Sequence, residues 1–471
     1  MTTVKPQHGK STSEQSAERE DAGRTLAHYA ATLAFEALPP AVVHVTKQCI
    51  LDTLGTTLAA STLAPEAPMF HDYVRDIGGN PDCTLIGYGE KAPAQMAAFL
   101  NGANSHMLDY DDLGSGHVSV ATIPVAFAMA EKTGNVSGRE LLTAVAAGID
   151  IHTRIYPYDT TEEWDLNQQF SQTQSIGYLS GVAVASRLAR LPEDQIMNAW
   201  GLAYQQVAGP HQRHLGMHAG WCGQGAVLAT LLAKRGVPGV KDILYGKHGL
   251  FRTHLRNTEP DHERLTGELG TRFRTLELHG FKAWPACGLT RRPVNAILDL
   301  RHQHKLRPEE VESIVVYGGE HILRLAEPLE YRRRPPHSAQ AKFSIPFTAA
   351  VAMTHGDVKL RHYTPSALKD PAVLAIADRV WVEKDSSSSR QKESASVVIR
   401  MRDGKTYQDQ VLYPLGDDRR NPMSQTQIED KFRDCASFSL KPMSSANIEQ
   451  VIKLVADLEN VPDVAMLTRW L

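Results

Sequence analysis

The residues best suited to chemistry gather in Asn101–Ser119, NGANSHMLDYDDLGSGHVS, where an Ala-rich helical pattern runs into three carboxylates, a glycine-flanked loop and a histidine. A continuing helix would set Asp109 and Asp112 one turn apart. Gly114 and Gly116 allow the chain to reverse and bring His117 back toward them. An imidazole among carboxylates is equipment for general acid/base catalysis, because neighbouring charge and burial tune its proton affinity. A structural reading is equally open: Asp111 and Asp112 cap the following helix, and His117 is a satisfied core side chain.

Two further clusters offer positive charge. Pro210–Trp221, PHQRHLGMHAGW, carries His211, Arg213, His214 and His218 within eight residues. Arg presents a bidentate fork and imidazole a donor, so together they suit a carboxylate-bearing substrate. Taken singly, each histidine reads as structural; taken together, the group reads as functional. The spacing lacks the HExxH pattern of a zinc site, and no metal is implied. Phe281–Pro293, FKAWPACGLTRRP, holds Lys282 ahead of an aromatic and a proline, either as a fixed ammonium facing a cleft or as a solvated side chain. Arg291 and Arg292 open the next helix against its dipole, which points to a nearby anion or to an internal carboxylate. Cys287 reads as packing. The basic run YRRRPPH (331–337) has no interleaved aromatics and reads as a solvated loop over an anionic site.

The elements that must position these groups follow from pattern. From Gly23 to about Gly249, apolar residues recur at helical spacing with abundant alanine. Ser137 with Glu140 forms a capping-box signal, Pro192-Glu193-Asp194 opens a helix, and Gly177 and Gly181 allow close helix contact. After about Arg252 strand-like runs appear, SIVVYGG, DRVWVEKD and ASVVIRMRDGKTYQDQVL, the last with a hairpin signal at Asp403-Gly404. The closing stretch returns to helices. The reading is a mainly α protein: a disordered tail over 1–21, an all-helical domain over 22–278 to which 415–471 return, and an α+β lid over 279–414.

With 471 residues, 42% of them hydrophobic, and a net charge of −3, the chain fills sizeable cores and shows no basic excess for nucleic acid or an anionic membrane. Five cysteines without CxxC spacing indicate neither a disulfide framework nor a metal cluster, and favour a reducing cytosol. No apolar run approaches membrane-spanning length. Neither GxGxxG nor GxxxxGK[ST] occurs, which argues against dinucleotide or ATP use.

Across about residues 23–471 the chain resembles the MmgE/PrpD family, which includes 2-methylcitrate dehydratase, cis-aconitate decarboxylase and iminodisuccinate epimerase. The resemblance is carried in order by ILDTLGTTLA, NGANSHMLDYDD with its following histidine, SGRELLTAVAAGIDI, MHAG, FKAWPACG, AKFSIPF, DPAVLAIADRVWVE and PLGDDRRNP…KF. It implies a homodimer, a helical domain built from both termini, an α+β lid, and a cofactor-independent site between them. The family's functional residues fall on Asp109, His117, Lys282 and His218. Three positions depart from it: Leu113 stands for a usual Thr, Gln169–Thr173 (QFSQT) for a Trp-His-Pro-Thr element, and His214-Leu215 for a Thr-Lys pair.

The resulting expectation is proton abstraction beside a carboxylate of a small di- or tricarboxylate. His117 moves the proton, Asp109 orients it or shares the proton, and Lys282 with Arg213 or His214 holds carboxylates. His211, His218, Arg291, Ser171 and Gln172 complete the substrate-binding candidates. A dehydratase-type lyase ranks first, an epimerase or isomerase second and a cis-aconitate-type decarboxylase last, with a non-catalytic anion binder as the alternative outside enzymology.

Overall fold

Small residues at helical spacing make the first half of the chain a set of closely packed helices. The computed structural model describes residues 12–157, 169–210, 214–256, 258, 261–278, 280–385, 395–417 and 420–471, and is mainly helical. The helices are α1 (Thr12–Thr32), α2 (Pro40–Leu63), α3 (Ala67–Ile77), α4 (Ala94–Met107), α5 (Ser119–Thr133), α6 (Gly138–Ile155), α7 (Gln172–Leu188), α8 (Glu193–Tyr204) and α9 (Leu215–Lys234), besides shorter ones. Residues 12–21, expected in the disordered tail, are instead the first turns of α1. Their Glu, Ala, Gln and Arg content explains this, since these residues favour helix even where no apolar face marks it.

Local signals act as their chemistry dictates. The Ser137 hydroxyl accepts from the Glu140 amide, and Glu140 reaches back to the Ser137 amide, closing a capping box on α6. Helix α2 is buried on all sides from Cys49 to Ser61, its polar members including Asp52, which pairs with Lys431. Gly177 and Gly181 of α7 lie so near Cys222 and Ala226 of α9 that a Cβ there would stand 2.9 Å from each. One departure from an all-helical body is a short antiparallel ladder, β1 (Cys83–Leu85) with β2 (Glu90–Ala92). Strands of three residues are too brief to show a period of two.

Beyond Lys282 a second core forms. Helix α10 (Arg291–His304) leads into β3 (Val311–Gly318), and α11 (Ile345–His355) and α12 (Pro371–Ala377) precede β4 (Val380–Lys384). The strands β5 (Ala395–Met401) and β6 (Thr406–Asp409) complete a sheet of order β4-β3-β5-β6, parallel between β3 and β4 and antiparallel elsewhere. Gly404 takes φ 86° in the β5–β6 turn, as the Asp-Gly hairpin signal requires.

The chain then returns. Helices α13 (Gln425–Ala436) and α14 (Ser445–Ala456) place Ile428, Phe432 and Val451 in the same buried cluster as α2 and α4–α7. The second cluster draws on residues between Trp284 and Met401. A small third cluster, including Ala60, Leu108, Tyr110, Leu360 and Cys435, joins α2, the turn after α4 and α13 to the second core.

Candidate active site

Helix α4 does not continue into the acidic motif. It ends at Met107, and Asp109 adopts a left-handed conformation (φ 49°) with its amide on the His106 carbonyl at 3.0 Å. Asp is among the few residues that enter this region readily. The one-turn spacing expected for Asp109 and Asp112 is therefore replaced by a sharp turn that aims three carboxylates in three directions.

Asp112 points to the start of α5, accepting from the Ser119 amide at 3.1 Å and the Ser119 hydroxyl at 2.6 Å. It acts as the cap that the structural reading assigned to it. Asp109 accepts from the Lys282 ammonium at 2.6 Å. Asp111 turns beneath α4 and joins two imidazoles: His106 Nδ1 lies 3.0 Å from one of its oxygens and His117 Nδ1 2.6 Å from the other. Gly114 and Gly116 both have positive φ (141° and 74°) and carry the chain back to His117, whose amide donates to Thr173 Oγ1 at 3.3 Å.

Asp109, His117 and Lys282 thus share one environment, with different partners from those expected. The carboxylate on His117 is Asp111, not Asp109, because the left-handed residue directs Asp109 toward Lys282. An ionised carboxylate only accepts, so both Nδ1 atoms carry hydrogen, and in a neutral imidazole of this tautomer the lone pair is on Nε2. Burial pushes the His117 pKa down and Asp111 opposes this, with the net direction downward. His117 is also the member that reaches solvent, its side chain 13% exposed, while Asp111 and Lys282 are fully buried. Burial would raise Asp109, yet the Lys282 ammonium holds it below the usual carboxylate range. Asp111 is held well below that range against burial by His106 and His117. Burial drives Asp112 well above it, helped by the charge on Asp111.

Three lysines from distant segments close the turn. Lys342 donates to the Leu108 carbonyl at 2.8 Å, Lys282 to the Asp109 carbonyl at 2.8 Å and Lys431 to the Tyr110 carbonyl at 2.6 Å. These carbonyls belong to the turn just past the end of α4, where positive groups also answer the helix dipole. Lys431 also pairs with the buried Asp52 of α2 at 2.6 Å. Lys282, expected as a carboxylate clamp, is engaged with Asp109 in this state. His106, Asp109 and Asp111 with His117 offer ligand atoms within 4.8 Å of one another, a donor set a divalent cation could use. The Lys282 ammonium already supplies positive charge at Asp109.

Sequence reasoning passed over Asp111, His106, Lys342, Lys431 and Asp52 as site residues. Lys342 sits in AKFSIPF and Lys431 in the terminal KF, both motifs of the resemblance, so a signal was present. His106 lies five residues before Asp111, a spacing that links them only once the helix is known to stop between them.

The other candidates separate. Ser171 precedes α7, its amide bonded to the Gly209 carbonyl at 2.9 Å, and the bridge between Phe170 and Pro210 ties this segment to the stretch before residue 211. The Ser171 hydroxyl and the Gln172 amide nitrogen are buried without a hydrogen-bond partner among the described residues, two and one positions before Thr173. Leu113 pairs with Gly280 through its backbone and covers Gly288. His214 is half-exposed against Glu66 (4.0 Å) and Phe70 of α3, so it is not brought to the cluster. His218 is buried in the first turn of α9. Arg291 is buried at the start of α10, where it donates to the Leu415 carbonyl at 3.5 Å. His211 and Arg213 lie outside the described residues.

A helical body, a smaller sheet-bearing core and a buried cluster of acid, imidazole and lysine groups have the make-up of a site for general acid/base chemistry. The family models for the MmgE/PrpD N-terminal domain and the MmgE/PrpD C-terminal domain match residues 24–263 and 284–458, and the chain belongs to the MmgE/PrpD family. It is similar to the cis-aconitate decarboxylase of Homo sapiens, 27% identical over 91% of this chain and 90% of that protein. Similarity to the enzyme of the same name from Aspergillus terreus is 24% over 95% of both chains, and to that of Mus musculus 26% over 92% and 90%. Such relatives are lyases, and the chain is an enzyme of the lyase or isomerase kind.

Proposed function

We propose that the protein is a cofactor-independent lyase that moves a proton on carbon next to a carboxylate of a small di- or tricarboxylate, with dehydration favoured. The observation that carries this reading is the 2.6 Å bond between Asp111 and His117 Nδ1, which directs the lone pair of the neutral imidazole to Nε2 in a side chain that is itself partly exposed. His117 acts as base and then acid. Asp111 fixes its tautomer and stabilises the imidazolium that forms, a role that needs no proton on the carboxylate. Negative charge developing on the substrate is met by positive potential from Lys282 and the two other lysines below the turn. Ser171 and Gln172, with spare hydrogen-bonding capacity beside Thr173, position the carboxylates.

Decarboxylation of cis-aconitate is the second reading, favoured by the names of relatives that match nearly the whole chain. Leu113 and Leu215, standing where the family carries Thr and Lys, and the QFSQT segment (169–173), which lacks the family's histidine, speak for a different substrate. We also read the chain as a cytoplasmic homodimer with its site between residues 22–278 plus 415–471 and residues 279–414; light scattering in solution tests the dimer. Incubation with citrate-, malate-, tartrate- and aminodicarboxylate-type compounds and with cis-aconitate in D₂O tests the chemistry. Deuterium at an α-carbon, or loss of water, supports the lyase reading. Release of CO₂ from cis-aconitate alone favours the second, and binding without exchange or product opposes both.

A further inference from the structure

A cavity of about 640 Å³ opens beside the catalytic turn, and none of Asp109, Asp111 or His117 lines it. Its wall is formed by the end of α2 (Thr62, Leu63, Pro65) and by residues of the second core between Arg334 and Leu374. Most of that wall is apolar: Leu63, Leu360, Leu368 and Leu374 with a series of prolines. Every charged side chain in it is basic, namely Arg334, His337, Lys342 and Lys369. Arg334 is answered by both oxygens of Asp378, at 2.5 and 2.8 Å. Lys369 and His337 have no carboxylate partner among the described residues.

Two buried polar groups add to this. Tyr363 is 3% exposed, and its hydroxyl has no hydrogen-bond partner among the described residues. The Lys342 ammonium, 5.9 Å from the centre of the Tyr363 ring, bonds the Leu108 carbonyl and keeps further N–H groups to offer. A buried hydroxyl left unpaired costs free energy that a ligand oxygen recovers. A roomy apolar wall with a few convergent polar groups is the form of a small-molecule site. The apolar share of the wall disfavours a dianion such as phosphate, whose hydration it could not replace.

We propose that this cavity is a second ligand site, for a small monocarboxylate with an apolar body. The carboxylate accepts from the Tyr363 hydroxyl and the Lys342 ammonium, and the body lies along the leucine and proline wall. The basic run 331–337, read from sequence as a loop over an anionic site, supplies part of the rim. Through the Lys342–Leu108 bond the site touches the residue preceding Asp109.

Calorimetric titration of the full chain with octanoate tests the site, because it reads binding without turnover. Saturable one-site binding is expected, weakened about tenfold by Tyr363→Phe, weakened also by Lys369→Glu at the exposed rim, and unchanged by His117→Gln. Tyr363→Phe removes a buried hydroxyl that holds nothing in place, so its melting temperature should equal or exceed that of the wild type. The proposal is overturned by absence of saturable binding to the wild type, by equal affinity of the Tyr363→Phe protein, or by loss of binding in His117→Gln, which would put octanoate in the catalytic cluster.

Discussion

At the scale of single residues, the account turns on which carboxylate serves which cation. Asp111→Asn removes the negative charge, and one of the two acceptor oxygens, that hold the His117 tautomer and raise the His117 pKa against burial. It should lower kcat by about 10²-fold or more and move the acid limb of the pH–rate profile to lower pH, a shift that a merely structural role would not produce. Lys282→Met leaves the Asp109 carboxylate buried and unpaired, which should destabilise the fold by about 3–5 kcal/mol in denaturant titration. The double variant Asp109→Asn/Lys282→Met should recover part of that loss, since no lone charge remains. Asp109, His117 and Lys282 were legible in the sequence because their types and motifs are unusual. Their pairing was not, because one left-handed residue decides it, and Asp adopts that conformation or declines it according to its tertiary surroundings.

The element that matters most is the loop from the end of α4 to the start of α5. Gly116 has φ 74°, and a Cβ there would stand 3.0 Å from Thr173 Oγ1, the acceptor of the His117 amide. Gly116→Ala should therefore cost about 1 kcal/mol of stability from backbone strain and lower kcat more than it raises KM, because it displaces the imidazole from Asp111. Helix signals such as the Ser137–Glu140 box and the Asp403-Gly404 turn were readable locally, each depending on neighbours within four residues. The end of α4 was not: nothing in MLDYDD breaks a helix outright, and the stop is enforced by three lysines arriving from residues 282, 342 and 431.

For the whole molecule, that convergence makes the catalytic turn a joint between the buried clusters. Burial pushes the Lys342 pKa down to about 7, from an ordinary value near 10.5. Between those values the unfolded chain binds a proton that the folded protein does not, so this group makes stability rise with pH, by up to about 1.4 kcal/mol per unit. Below about pH 7 both states are protonated and its contribution is level. Lys342→Met should flatten the rise of unfolding free energy between pH 7 and 10; an unaltered slope would show that the lysine stays charged. The long-range partnerships of Lys342 and Lys431 could not be read from spacing, since they span 234 and 321 residues. The most direct test of the central claim is the rate of deuterium incorporation at the substrate α-carbon by His117→Gln against wild type, measured with whichever carboxylate the wild type turns over. Exchange and turnover should fall together by about 10²–10⁴-fold with binding retained, whereas exchange at the wild-type rate would contradict His117 as the group that moves the proton.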